Sequence, residues 1–180
     1  GSTPENKISG LTPGNTFQTF FSSILIYMSY LPENAEVDYT ASALVIRDGK
    51  ILFMNHEKLG KWLQPGGHTE ENETPDQAAK REVREETGYE IKFIDGEQPQ
   101  NFSEEEDLPT PFHVNIHEIR ENHLHCDFMY LAEVTGEEEA THSHEHNGTR
   151  WLSEEEIRSR EFEMPDNVRR TALKALQENP

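Results

Sequence analysis

The chain has 180 residues, 33% of them apolar, and its 35 acidic against 16 basic side chains give a formal charge of −19. This length suits one globular domain with a proper core, and the charge argues against generic nucleic-acid backbone binding, since no basic groove is visible in the sequence. An anionic substrate would therefore need bound cations to attract it, and the single cysteine, Cys126, excludes an internal disulfide framework and points to a reducing, cytoplasmic compartment.

Residues 1–15 open with Gly-Ser, which reads as a cloning scar, and continue as a polar, loose stretch. Residues 16–35 form the next unit: Phe17, Phe20, Phe21, Ile24, Leu25, Met28 and Leu31 recur at helical spacing. An amphipathic helix results, suited to core packing or to a homodimer contact. The run is too short and interrupted for a membrane span, and no positive cluster precedes it as in a signal peptide.

Residues 36–180 make up the main domain. Tyr39–His56 reads as two strands joined by a hairpin turn at Asp48-Gly49. Trp62–Gln64 reads as a short strand, broken by a Pro65-Gly66-Gly67 loop whose backbone can approach a ligand closely. Thr74 with Gln77 has capping-box spacing, Pro75 occupies the first helical position and Gly88 ends the segment, so 75–87 is a predicted helix. Further strands are expected at Glu90–Ile94, Phe112–Ile119 and Leu124–Val134, and helices at Ser153–Arg160, capped by Ser153 with Glu156, and at Asp166–Gln177. The segments Gly96–Thr110 and Gly136–Gly148 are acidic loops.

Within the 75–87 helix, Glu82, Glu85 and Glu86 stand at i, i+3 and i+4, so their carboxylates share one face and repel one another. Arg81 and Arg84 relieve part of that. A solvated face would tolerate the remainder, whereas a hard cation such as Mg²⁺ or Mn²⁺ would turn the repulsion into attraction.

The spacing around these residues is more specific. Gly67, five residues, Glu73, seven residues, then Arg81-Glu82-Val83-Arg84-Glu85-Glu86-Thr87-Gly88-Tyr89 resembles the Nudix (MutT-like) signature at every fixed position. Trp62-Leu63-Gln64-Pro65-Gly66-Gly67 ahead of it and Trp151-Leu152-Ser153-Glu154-Glu155 after it extend the resemblance over roughly Thr40 to Leu176.

The resemblance implies an α/β/α sandwich with a mixed sheet, to which the amino-terminal helix is an addition. It also implies divalent-metal-dependent hydrolysis of a small-molecule nucleotide, a nucleoside diphosphate linked to another moiety such as ADP-ribose or a nucleotide sugar. Nucleoside triphosphates and dinucleoside polyphosphates are the alternatives. Carried over by position, Glu82, Glu85 and Glu86 are the metal ligands, with the Gly66 carbonyl as a further one. Arg81 braces the loop as an ion-pair partner, and Glu73 does so as an outer ligand. The family draws another carboxylate from a distal loop, which implies Glu145, six residues before Trp151, or else Glu137, Glu138 or Glu139.

His123, His125 and Asp127 alternate along one strand and share a face, either contacting substrate or satisfying each other. His68 follows Gly67 directly and lies near the expected pyrophosphate. His142, His144 and His146 could bind a transition metal or be plain solvated residues. Cys126 points away from His125 and Asp127 and reads as a small core residue. Phe102, Phe112, Tyr130 and Trp62 are the aromatic candidates for stacking on a base. A nucleotide-sensing binding module would be expected to have lost signature glutamates, and an isopentenyl diphosphate isomerase would need a degenerate signature. Both are disfavoured here.

Overall fold

The computed structural model describes residues 30–97, 99, 105–136 and 146–179. The expected helix at Phe17–Leu31 falls almost wholly outside them, as do Phe102, Glu137, Glu138, Glu139, His142, His144, Glu145 and the side chain of His146. The chain divides at Ala35/Glu36 into two units, and the second carries the elements that follow.

β1 (Glu36–Arg47) and β2 (Lys50–His56) form the expected hairpin. Asp48 and Gly49 both hold positive φ, 51° and 67°, the two left-handed residues that a primed hairpin turn requires. Along one edge β1 pairs in parallel with β7 (His123–Val134), with Glu36 opposite His123 and Ile46 opposite Glu133. Along its other edge β1 takes β4 (Gly66–His68) over Thr40–Ser42 and β2 at Ile46–Arg47. β2 also pairs with β3 (Lys61–Leu63) and β8 (His146–Ser153), and β7 with β5 (Ile91–Phe93) and β6 (His113–Arg120). All pairings except β1 with β7 are antiparallel, so the sheet is mixed.

Alternation along β1 feeds two cores, because successive side chains leave opposite faces of the sheet. Ala41, Ala43 and Val45 pack with Ala78, Ala79 and Val83 of α1 (Pro75–Thr87), whose small side chains bring the helix close. Leu44 and Ile46 pack with Ile157 of α2 (Glu154–Ser159) and with Val168, Ala172, Ala175 and Leu176 of α3 (Asp166–Glu178). Each fully buried aliphatic side chain is worth roughly 1.5–3 kcal/mol, so neither helix layer is dispensable. The architecture is the expected α/β/α sandwich.

Local signals fix the helix ends. The Gln77 side-chain oxygen accepts from the Thr74 N–H at 3.0 Å, and Gly88, at φ 78°, donates its N–H to the Arg84 carbonyl. At α2 the Ser153 N–H donates to Glu156 at 2.9 Å while Ser153 Oγ accepts from the Glu156 N–H. Buried Arg169 donates to the Ile157 and Phe162 carbonyls, tying α3 to the end of α2.

Three expectations are corrected. Gly66–His68 is a strand paired to β1 and not a free loop: a Cβ on Gly66 would lie 2.5 Å from Ser42 Cβ and 2.7 Å from the Ala41 carbonyl, so glycine is what lets the two backbones meet. β8 begins at His146, inside the stretch read as an acidic loop. Cys126 is half-buried and outside both cores, because the residue paired with it, Tyr39, is itself 59% exposed on that face. Burial still raises its thiol pKa, an effect increased by Asp127.

Candidate active site

α1 and β4 form one unit. Helix geometry sets Glu82, Glu85 and Glu86 on one face, and the loop leading through β4 docks onto that face by two backbone contacts. The Gly66 N–H donates to Glu86 Oε2 at 2.9 Å, and Arg81 Nη2 donates to the His68 carbonyl at 3.0 Å. Gly67 lies where a Cβ would stand 2.6 Å from Glu82 Cδ, so the Glu82 carboxylate rests directly against its backbone.

Arg81 is the hub. Its Nε and Nη2 grip both oxygens of Glu73 at 2.9 and 3.0 Å, and its Nη1 reaches Glu82 Oε1 at 2.8 Å and Glu85 Oε2 at 3.3 Å. The Arg81, Glu73 and Glu82 side chains are only 18%, 15% and 16% exposed, whereas Glu85 is 55% exposed. The forked pair depresses the Glu73 pKa, and Glu73 and Glu82 in turn hold the Arg81 guanidinium well above its usual range. Arg84 is exposed and plays no comparable part.

The three α1 carboxylates are hard oxygen donors beside a strand that carries no side-chain bulk at Gly66 and Gly67, a donor set that suits Mg²⁺ or Mn²⁺. Glu82 and Glu85 face the same guanidinium, and Glu86 faces an amide. Among the described residues these oxygens do not close into a group within 4.8 Å of one another.

The other expected residues gather on the sheet face opposite α1. His68 stands across from Thr40, His125 from Asp38 and Asp127 from Asn115. His125 and Asp127 do not satisfy each other. Asp127 is buried, and its oxygens accept from Thr40 Oγ1 at 3.1 Å and Ser42 Oγ at 2.8 Å, so it supports the sheet instead of offering itself to a ligand. His125 lies among imidazoles, with ring centroids 4.8 Å from His68, 5.5 Å from His123 and 5.9 Å from His117. Burial, then these neighbours, lower its pKa. Asp38, which sequence reading passed over, meets His68 at 3.5 Å and His123 at 3.3 Å. Its signal was the alternation Asp38, Thr40, Ser42, Leu44, continued one residue ahead of the expected strand. Of the aromatic candidates, Tyr130 is buried in the α1 core, while Trp62 and Phe112 pack half-buried against the other.

Burial raises the Asp127 pKa against the opposing effect of its two hydroxyl donors. A carboxyl whose folded pKa exceeds its unfolded value favours the native state at low pH, and that contribution is lost as pH rises through the folded pKa. Asp127→Asn removes the penalty of burying the charge, and one hydroxyl can rotate to accept from the new amide. The variant is therefore expected to melt a few degrees higher than the parent at pH 7, with the gain shrinking towards pH 4. Thermal melts across that range check this, and a lower melting temperature at pH 7 would show the ionised carboxylate to be needed.

Residues 38–174 match the family model described as the NUDIX domain. A protein from Lactococcus lactis subsp. cremoris (strain MG1363), named probable DHNTP pyrophosphohydrolase, is 34% identical over 105 residues, covering 58% of this chain and 59% of the relative. A MutT-like protein from Streptomyces ambofaciens is 36% identical over 73 residues, 38% of this chain and 47% of its own length. The chain thus spans about half the length of these curated relatives. Among solved structures, a NUDIX-family hydrolase from Clostridium perfringens superposes with a TM-score of 0.68 at 29% identity, covering 79% of this chain and 98% of that one. The MutT protein from Methanosarcina mazei Go1, at 22% identity and TM-score 0.62, shares the fold.

Proposed function

Because the chain belongs to the Nudix family, we propose that it is a divalent-cation-dependent pyrophosphohydrolase acting on a small nucleotide-like substrate. The observation that supports this most is the α1–β4 unit: three carboxylates on one helix face, held against the Gly66–His68 backbone by Arg81 and by the Gly66 N–H. Glu82, Glu85 and Glu86, with the Gly66 carbonyl, would hold the ion. When bound, it would neutralise pyrophosphate oxygens and lower the pKa of an attacking water.

The chain's own residues prepare that chemistry. Glu73 fixes the guanidinium of Arg81, Arg81 fixes the loop, and Gly67 lets the Glu82 carboxylate lie along it. This is positioning set before a substrate arrives, which electrostatic catalysis requires. His68 and His125, on the sheet face opposite α1, are the substrate-side residues of this reading.

For the substrate, a nucleoside diphosphate linked to a sugar is the first reading. The Lactococcus relative is named for DHNTP, and that name favours a second reading in which DHNTP or a nucleoside triphosphate is cut. Incubating each compound with Mg²⁺ and analysing the products separates them. Release of inorganic pyrophosphate marks the second reading, and two phosphomonoesters mark the first. Turnover of none, with tight nucleotide binding, would make the chain a sensing module instead. Activity on whichever substrate is found is expected to fall to background in excess EDTA and to return with Mg²⁺, and turnover that survives full chelation would sink the metal mechanism.

Glu145, outside the described residues, is proposed as the distal carboxylate from its place six residues before Trp151. Glu145→Gln should lower kcat far more than it weakens binding, while Glu138→Gln should do neither. Near-normal kcat in Glu145→Gln with a large loss at Glu137, Glu138 or Glu139 would move the role there.

A further inference from the structure

We propose that Asp38, His68 and His125 form a second metal site, separate from the α1 carboxylates, that takes a divalent transition ion of the Zn²⁺ class. Among the described residues they are the group of three whose ligand atoms, one carboxylate oxygen and two ring nitrogens, all lie within 4.8 Å of one another. They come from three strands, and the register brings them together. Asp38 of β1 is directly opposite His125 of β7, and His68 of β4 is opposite Thr40, on the same face and two residues along β1.

The distances favour ligation over simple ion pairing. A good N–H···O bond to a carboxylate spans about 2.7–2.9 Å, yet Asp38 Oδ2 stands 3.5 Å from His68 Nε2. Ligand atoms bound at 2.0–2.1 Å around a tetrahedral ion are separated by roughly 3.3 Å, close to the Asp38–His68 separation, and the His125 ring nitrogen lies within 4.8 Å of both. Imidazole with carboxylate also selects Zn²⁺, Cu²⁺, Co²⁺ or Ni²⁺ over Mg²⁺, which prefers all-oxygen surroundings. The α1 glutamates and this group therefore call for different ions.

A supporting layer is present. His123 lies only 13% exposed between two carboxylates, its Nε2 at 3.3 Å from Asp38 Oδ2 and its Nδ1 at 3.2 Å from Glu36 Oε2. It sets the orientation of Asp38, as the outer partners of metal ligands do. His117 is fixed through Nδ1 to Asn115 Oδ1 at 2.9 Å and packs its ring beside His125. Three protein ligands leave a position open, so His68 and His125 meet an anionic substrate through the ion.

The test titrates the full-length protein with Zn²⁺, by calorimetry and by competition with a metallochromic indicator, in millimolar Mg²⁺ so that the α1 carboxylates do not contribute. One equivalent is expected to bind with micromolar or tighter affinity. Affinity should drop at least about 100-fold in Asp38→Asn, His68→Ala and His125→Ala, and about 10–100-fold in His123→Ala. It should persist in Glu85→Gln with Glu86→Gln and in the combined His142→Ala, His144→Ala, His146→Ala variant. His68 is 60% exposed, so His68→Ala is expected to fold, and matching melting curves confirm it. Absence of a tight equivalent, its retention in folded His68→Ala, or its loss in the combined variant would overturn the assignment. Loss of pyrophosphohydrolase activity alone would bear on the α1 carboxylates and leave this site standing.

Discussion

Glu85→Gln and Glu86→Gln are each expected to lower kcat by about 10²–10⁴-fold while leaving the melting temperature within a few degrees of the parent. The activity loss follows from chemistry. An ion that neutralises phosphate oxygens is worth several kcal/mol of barrier, and each 1.36 kcal/mol is tenfold in rate. An amide oxygen is a neutral and weaker ligand than a carboxylate, so either change loosens the ion. Stability is buffered for different reasons at the two positions. Glu85 is 55% exposed and its pair with Arg81 spans 3.3 Å, so losing it costs about 0.3–0.5 kcal/mol, offset by relief of repulsion from its neighbours. Glu86 uses one oxygen to accept the Gly66 N–H, and glutamine keeps an oxygen that can do the same. Steady-state kinetics with varied Mg²⁺ and parallel melts decide the matter. Normal kcat in both variants would remove α1 from the chemistry, and cooperative unfolding at ambient temperature would make its carboxylates structural.

What the sequence reveals here follows how local each determinant is. The limits of α1 are legible because Thr74, Pro75, Gln77 and Gly88 act within one helical turn of its ends, and the β1–β2 turn is legible because Asp48 and Gly49 alone set its backbone. The Arg81–Glu73 fork could be expected from the family pattern, although the hydrogen bond from Arg81 to the His68 carbonyl could not. Strand β4 was hidden because glycine carries two meanings. Pro65-Gly66-Gly67 has the composition of a break, but Gly66 serves close approach to Ala41 and Ser42, which only the paired strand makes visible.

The histidine cluster was hidden by distance along the chain. Asp38 and His125 are 87 positions apart and meet through parallel pairing of β1 with β7, for which no turn or spacing signal exists locally. The alternation of His123, His125 and Asp127 did give their shared face, but the roles divided once the partners were known. Asp127 is sealed under two hydroxyls, while His125 opens onto His68 and Asp38. The same strand thus holds a carboxylate bonded within the sheet and, two residues away, an imidazole grouped with the side chains of two other strands.

Arg81→Met is expected to lower stability by about 3 kcal/mol at pH 7 and activity by about 100-fold, the largest combined effect of any single change outside the cores. The guanidinium serves three carboxylates and the His68 carbonyl, and the side chains of Arg81, Glu73 and Glu82 are mostly buried, so removing the cation leaves like charges facing one another in a poorly solvated place. The activity loss arises because β4 loses one of its two anchors to α1, and displacement of a positioned group by about 1 Å can cost 100-fold. Arg81→Lys keeps the charge but cannot grip Glu73 with two nitrogens while reaching both the carbonyl and Glu82, so an intermediate loss is expected. The pH dependence identifies the cause. Arg81 lowers the Glu73 pKa in the folded protein, so this pair contributes stability above the unfolded glutamate pKa of about 4.3, and the contribution is lost as pH falls through the depressed folded value. The melting-temperature gap between parent and Arg81→Met should therefore be widest between about pH 6 and 8 and close below about pH 4. A gap that stays constant down to pH 3 would assign the loss to packing of the Arg81 stem and not to its charge.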